Sequence, residues 1–251
     1  MAESVERYVE RIGEGDSLVF FEVKLWCFLL LMICYNSMHM IELFLTSEVQ
    51  AVAEDIYKKI SKGSGKLHTA YIITPIERGH EEDDLGWHKK NKESMMTAGF
   101  DIFEYSITGK NVENLQSDLG NADVIYVEGG SLVHMMNQAR ISGFDSFIRE
   151  FVEKGGKYIG TSTGSFIMAE DTAPGLVLET YLEDNFNPKG IGLVNFLVMP
   201  HWGTKDFKES YEQMPRHAYT MTTPMIILTD TQYVWVKDKS FQIIDTLSPG
   251  C

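Results

Sequence analysis

The run Tyr158-Ile-Gly-Thr-Ser-Thr-Gly-Ser165 carries the strongest chemical signal in the chain. A short apolar stretch enters Gly-x-Ser-x-Gly and continues into a helix-compatible segment, Phe166 to Glu170, which is the context of a nucleophile elbow. Gly160 and Gly164 let the backbone turn sharply without Cβ collisions and lift the Ser162 hydroxyl out of the sheet. The same letters also fit an ordinary glycine-rich βα loop, so the strand-turn-helix setting is what favours a nucleophile.

A hydroxyl needs a base to take its proton at neutral pH. Of the seven histidines, His39, His68, His80 and His88 precede the elbow in segments without site character, and His134 and His217 fall in expected helices with a partly exposed surface role. His201 follows the apolar run Leu193-Val-Asn-Phe-Leu-Val-Met-Pro200. Residues just past a strand's carboxyl end line the ligand crevice of open α/β sheets, which makes His201 the candidate base. A second glycine turn, Val127-Glu-Gly-Gly-Ser131, also joins a strand to a helix. Gly129 and Gly130 would allow close backbone approach to an oxyanion, with the amide after Ser162, that of Thr163, as second donor. Phosphate binding or plain turn chemistry fits a Gly-Gly pair as well.

Those residues must be positioned by a fold. From Met40 short β-branched or aromatic runs alternate with longer helix-periodic ones, which indicates an α/β domain with a mostly parallel sheet flanked by helices. Strands are expected at Ile41–Thr46, Thr69–Thr74, Phe100–Tyr105, Val124–Val127 and Tyr158–Gly160, and helices at Val49–Ile60, Glu81–Thr97, Asn111–Leu119, Leu132–Gln138 and Phe144–Glu153. After Thr180, strand-like runs at Gly192–Met199, Met225–Leu228, Tyr233–Val236 and Phe241–Ile244 surround one helix, Asp206–Met214. They imply a strand-rich, partly antiparallel C-terminal edge.

Composition bounds the function. With 251 residues, 44% hydrophobic and 23% charged, one large domain is expected, residues 40–251. A net charge of −14 repels a phosphate backbone and disfavours nucleic acid. Cys27, Cys34 and Cys251 form no metal-binding or disulfide pattern, which suits a reducing compartment and no metal. In residues 1–39, Glu22 and Lys24 cut the apolar stretch to Leu25–Cys34, too short to span a bilayer. The acidic residues before it make a poor signal peptide. This extension could pack as an extra helix, mediate association, or reflect an upstream start codon.

Taken in order, VIYVEGGSLVHMM (124–136), KYIGTSTGSFIM (157–168) and GLVNFLVMPHW (192–202) resemble peptidase E, the family S51 serine peptidases that include aspartyl dipeptidase and, more distantly, cyanophycinase. The similarity extends over roughly Met40 to Ile244. It implies a class I glutamine amidotransferase-like sheet, Ser162 as nucleophile, His201 as its histidine, and Gly129 and Gly130 as the oxyanion turn. Thr163, Ser131, Ser165 and Met199 depart from the residues the family favours there. The family places the acidic triad member between nucleophile and histidine; Glu179 has the closest spacing, with Asp171, Glu183 and Asp184 as competitors. Aspartyl specificity also asks for a cation after the histidine, where Lys205, Lys208 and Arg216 are available but no arginine is in register.

The reading is therefore a cytoplasmic serine hydrolase that cleaves short peptides through an acyl-enzyme on Ser162, with specificity for Asp-X dipeptides left open. A small peptide is the expected partner, with no cofactor, metal, nucleic acid or membrane, and association into a homo-oligomer is left open. The alternatives are an esterase or other serine hydrolase, or a catalytically silent binding protein on the same scaffold.

Overall fold

The strands at the centre of the sheet are apolar on both faces, as a sheet covered by helices on both sides requires. Leu43, Phe44 and Leu45 of β1 (Glu42–Thr46) and all four residues of β4 (Val124–Val127) are fully buried. The computed structural model describes residues 40–247 apart from 64, 79–84, 180–185, 209–212 and 214–222. The 1–39 extension, Glu183, Asp184 and Arg216 thus lie outside the described residues.

β1 is followed by α1 (Ala53–Ser61), β2 (Leu67–Ile72), a 3-10 turn at Thr74–Glu77, α2 (Gly86–Ala98), β3 (Phe100–Tyr105) and α3 (Val112–Leu119). After β4 come α4 (Leu132–Ser142), α5 (Phe144–Glu153), β5 (Lys157–Thr161), the single turn α6 (Thr163–Phe166), and a 3-10 segment at Ala173–Leu178. The chain then forms β6 (Leu197–Met199), a 3-10 turn at Lys205–Phe207, β7 (Met225–Ile227), β8 (Gln232–Lys237) and β9 (Ser240–Asp245). In α5, Phe144, Phe147, Ile148, Phe151 and Val152 are buried, the i, i+3, i+4, i+7, i+8 stripe of a helix laid on a sheet.

The main sheet has the order β3-β2-β4-β5-β1-β8-β9. Its first five strands are parallel, and β8 and β9 add an antiparallel edge. Leu43 and Leu45 pack into the cluster with Met135, Phe144, Ile148 and Phe166, whereas Phe44 packs with Val52, Ile56 and Met95. Helices α4, α5 and α6 therefore cover one face, and α1 and α2 the other. β1 and β5 are parallel neighbours, yet the chain leaves their carboxyl ends toward opposite faces. Such a divergence opens a crevice at the strand ends.

Two expectations for the C-terminal third change. The runs at 192–199 and 225–228 do not join the main sheet; β6 and β7 pair with each other, in parallel. The Gly192–Met199 run is extended ladder only from Leu197, because the amides of Gly190, Ile191, Gly192 and Leu193 bond the carbonyls of Glu170, Ile167, Ala169 and Met168 at the end of α6. Most of the expected Asp206–Met214 helix, residues 209–212 and 214, lies outside the described residues; its start overlaps a short 3-10 turn at Lys205–Phe207.

Candidate active site

Ser162 lies at the carboxyl end of β5 with φ 50° and ψ −107°, a left-handed backbone that a serine adopts only when its surroundings impose it. The two glycines explain how. A Cβ on Gly160 would sit 2.4 Å from the Gly164 carbonyl oxygen, and one on Gly164 would sit 2.2 Å from that of Val127. Side chains at either position would push the turn off β4 and β5. The Ser162 amide donates to Thr46 O at 3.2 Å, and its half-buried hydroxyl meets no hydrogen-bond partner among the described residues.

The polar departures in the elbow act as clamps. Ser165 Oγ donates toward Thr46 O and Gly160 O, each at 2.8 Å. The Thr163 hydroxyl donates to the Gly130 carbonyl and so ties the elbow to the second glycine turn. That turn abuts the serine, since a Cβ on Gly129 would lie 3.4 Å from Ser162 Cβ. The Gly129 amide is already bonded to the Glu128 side chain at 2.9 Å. Of the three oxyanion candidates, the amides of Gly130 and Thr163 remain available, and Gly129 contributes close approach rather than a donor.

His201 is 7% exposed and also has positive φ, 61°. Its amide donates to Ser47 Oγ at 2.6 Å, next to the residue that holds the Ser162 amide. Histidine and serine are thus both fastened to the Thr46-Ser47 end of β1. The imidazole stacks on Phe207, with centroids 4.2 Å apart and planes 14° from parallel. Its Nδ1 lies 2.9 Å from Asp230 Oδ1; a carboxylate only accepts, so Nδ1 carries the proton and Nε2 is the basic nitrogen.

The carboxylate on the histidine is therefore Asp230, not Glu179. Ser47 Oγ donates to Asp230 Oδ1 at 2.7 Å and Thr204 Oγ1 to Oδ2 at 2.7 Å. Burial alone would raise this carboxyl, but the hydrogen bonds from His201, Thr204 and Ser47 outweigh it and hold it at about 2. Glu179 instead accepts from Ser131 Oγ at 2.9 Å and from the Leu132 amide, which satisfies orphan donors at the start of α4. Burial raises its pKa despite those bonds. Asp171 accepts from the Ala173 amide at 2.9 Å. Asp230 could have been found from the sequence: it follows Met225–Leu228 just as His201 follows Leu193–Pro200, and the strand-end rule applies to both.

Other assignments also shift. His134 is buried, with Nε2 3.0 Å from Glu77 Oε2, and is not a surface residue. Lys205 and Lys208 are exposed beside the 3-10 turn after His201. Among the described residues no group of three or more His, Cys, Asp or Glu could hold a metal ion, and no helix is long and apolar enough to cross a membrane.

Glu48, the residue after Ser47, adds a titrating group. Burial and the neighbouring Glu128 carboxylate push it up to about 7, against the opposing pull of His201 and the Val49 amide. The folded protein thus holds this proton more tightly than the unfolded chain, where the value is 4.5, so stability falls as pH rises from there through about 7. Glu48→Gln should gain up to about 3 kcal/mol at about pH 8 and almost nothing near pH 4, read by denaturant unfolding at both values. An equal gain at both would remove the titration from the account.

Over 217 residues the chain is 25% identical to an uncharacterized peptidase of Listeria innocua, covering 83% of this chain and 97% of that protein. An uncharacterized peptidase of Pasteurella multocida is 22% identical over 157 residues, 59% of this chain and 72% of that one. The fold is similar to the crystal structure of a candidate peptidase E from Listeria monocytogenes, with TM-score 0.71 and 20% identity over 82% of this chain and 98% of that one. It is also similar to a peptidase from an acI-B1 Actinobacterium, with TM-score 0.64 and 18% identity over 84% and 90%. Residues 44–244 match the family model of peptidase family S51, and the chain is a peptidase belonging to that family.

Proposed function

We propose that the protein is a serine hydrolase that cleaves short peptides through an acyl-enzyme on Ser162. The observation that carries this reading is the left-handed Ser162 at the end of β5, facing a strand end that also anchors the His201–Asp230 pair. In the proposed reaction His201 Nε2 takes the hydroxyl proton as Oγ attacks the peptide carbonyl. The amides of Gly130 and Thr163 receive the charge on the carbonyl oxygen. The imidazolium then protonates the leaving amine, and water releases the acyl group by the same steps in reverse roles. Asp230, already ionised, holds the ring tautomer and stabilises the imidazolium. For this transfer Ser162 Oγ and His201 Nε2 must come within hydrogen-bond reach. The unpatterned cysteines Cys27, Cys34 and Cys251 support a cytoplasmic setting.

Substrate preference turns on the cations that follow His201. Lys205 and Lys208 are exposed, and a solvated lysine discriminates weakly between a carboxylate and its amide. The expected kcat/KM ratio for paired Asp-X and Asn-X dipeptides is below about tenfold. A ratio above about a thousandfold would require a buried cation and overturn that expectation. Rapid ester hydrolysis with no dipeptide cleavage would overturn the peptide-substrate reading itself.

A further inference from the structure

Glu128 stands one residue before the Gly129–Gly130 turn, is fully buried, and has no part in the proposed reaction. Its carboxylate is the focus of a polar network. Oε1 accepts from the Gly129 amide at 2.9 Å, from Asn91 Nδ2 at 3.0 Å and from the Tyr126 hydroxyl at 3.0 Å. Oε2 accepts from the Tyr71 hydroxyl and lies 3.0 Å from His88 Nδ1. Asn91 is itself oriented by Gln50 Nε2, 2.9 Å from its Oδ1. Strands β2 and β4 and helix α2 thus converge on one acid. A buried, fully bonded carboxylate of this kind is held in one geometry, and loss of the acceptor would strand several donors.

The consequence falls on the turn. The Glu128 amide bonds Ile72 O at 3.2 Å, the Gly129 amide bonds the Glu128 carboxylate, and the Ser131 amide bonds Pro75 O at 2.8 Å. Among the described residues the Gly130 amide meets no acceptor. Gly130 has φ 130°, and a Cβ there would lie 2.5 Å from Pro75 O, so the position demands glycine. Two adjacent glycines rotate easily, and something must keep the peptide between them from flipping.

We propose that Glu128 is a positioning residue of the oxyanion pocket: by taking the Gly129 amide it fixes the Glu128–Gly129 peptide, and with the Gly130–Ser131 peptide held by Pro75 O and the Thr163 hydroxyl the peptide between them keeps its Gly130 N–H turned toward a carbonyl held on Ser162. This rests on the serine hydrolase reading. Glu128→Gln keeps the shape but sets an NH2 group against donors that need an acceptor. Loss of one aligned oxyanion donor lowers kcat by about 10²- to 10³-fold, and for a misaligned one we expect roughly 10- to 100-fold with KM within about threefold. Affinity for a peptide boronic acid, which binds as a tetrahedral adduct, should fall by a similar factor. Affinity for an unreactive ground-state competitor should not change.

Equal weakening of boronate and competitor, or kcat within about twofold of the parent, would overturn the proposal. If Glu128→Gln does not fold, Tyr126→Phe removes one donor to the carboxylate, and the same pattern is expected at roughly three- to tenfold, with no change in kcat counting against the proposal. A parent protein that forms no boronate complex and no fluorophosphonate adduct overturns the serine reading and this proposal together. A parent that forms both, matched by the variant, overturns the proposal alone.

Discussion

Ser162→Gly is expected to abolish turnover and to stabilise the fold. Loss of the nucleophile should lower kcat by on the order of 10⁴-fold or more. The same change removes the Cβ from a residue with φ 50° and ψ −107°, where strain costs on the order of 1–3 kcal/mol and glycine carries little of it. The hydroxyl holds no hydrogen bond among the described residues, so its removal sacrifices little. Ser162→Ala should lose turnover equally but stay near the parent in stability, because it keeps the Cβ. Kinetics and denaturant unfolding of the two variants separate chemistry from strain. Turnover in Ser162→Ala within about tenfold of the parent would place the nucleophile elsewhere. Equal stability of the Gly and Ala variants would remove strain from the account.

The second large effect distinguishes two carboxylates. Asp230→Asn is expected to lower kcat by about 10⁴-fold, because an amide at Nδ1 of His201 favours the wrong ring tautomer. It should do so with little change in KM. Glu179→Gln should leave kcat within a few-fold while costing about 1–2 kcal/mol of stability, since its oxygens satisfy Ser131 and the first amides of α4. The reverse pattern would restore Glu179 as the acid on the histidine.

The contrast between those residues shows what the sequence makes legible. Ser162 and its glycines form a local motif whose geometry is written in adjacent residues, and the structure shows the expected strand and sharp turn, followed by one helical turn at Thr163–Phe166 and not by a helix over Phe166–Glu170. Strands Phe100–Tyr105 and Val124–Val127 and helix Phe144–Glu153 agree with the periodic pattern to the residue, because each lies between sharp polar or glycine breaks. Asp230 is 29 residues beyond His201, and only the folding of β7 beside β6 brings its strand end next to the histidine. Spacing along the chain pointed to Glu179, an acid whose role is to satisfy a helix start. Likewise Ser47 and Glu128 are unremarkable letters until β1 and α2 are in place, when one holds His201 and Asp230 and the other gathers five contacts. The Gly192–Met199 run misled for a related reason: its apolar side chains fit a strand, but its first amides are taken by the end of α6.

Treating the 251-residue protein with a fluorophosphonate and mapping the adduct by mass spectrometry tests whether Ser162 is the nucleophile. A single phosphonyl group on Ser162 is expected, formed far more slowly in His201→Ala, and absent in Ser162→Ala. An adduct on another residue, or no adduct on a protein that still cleaves peptides, would contradict the account.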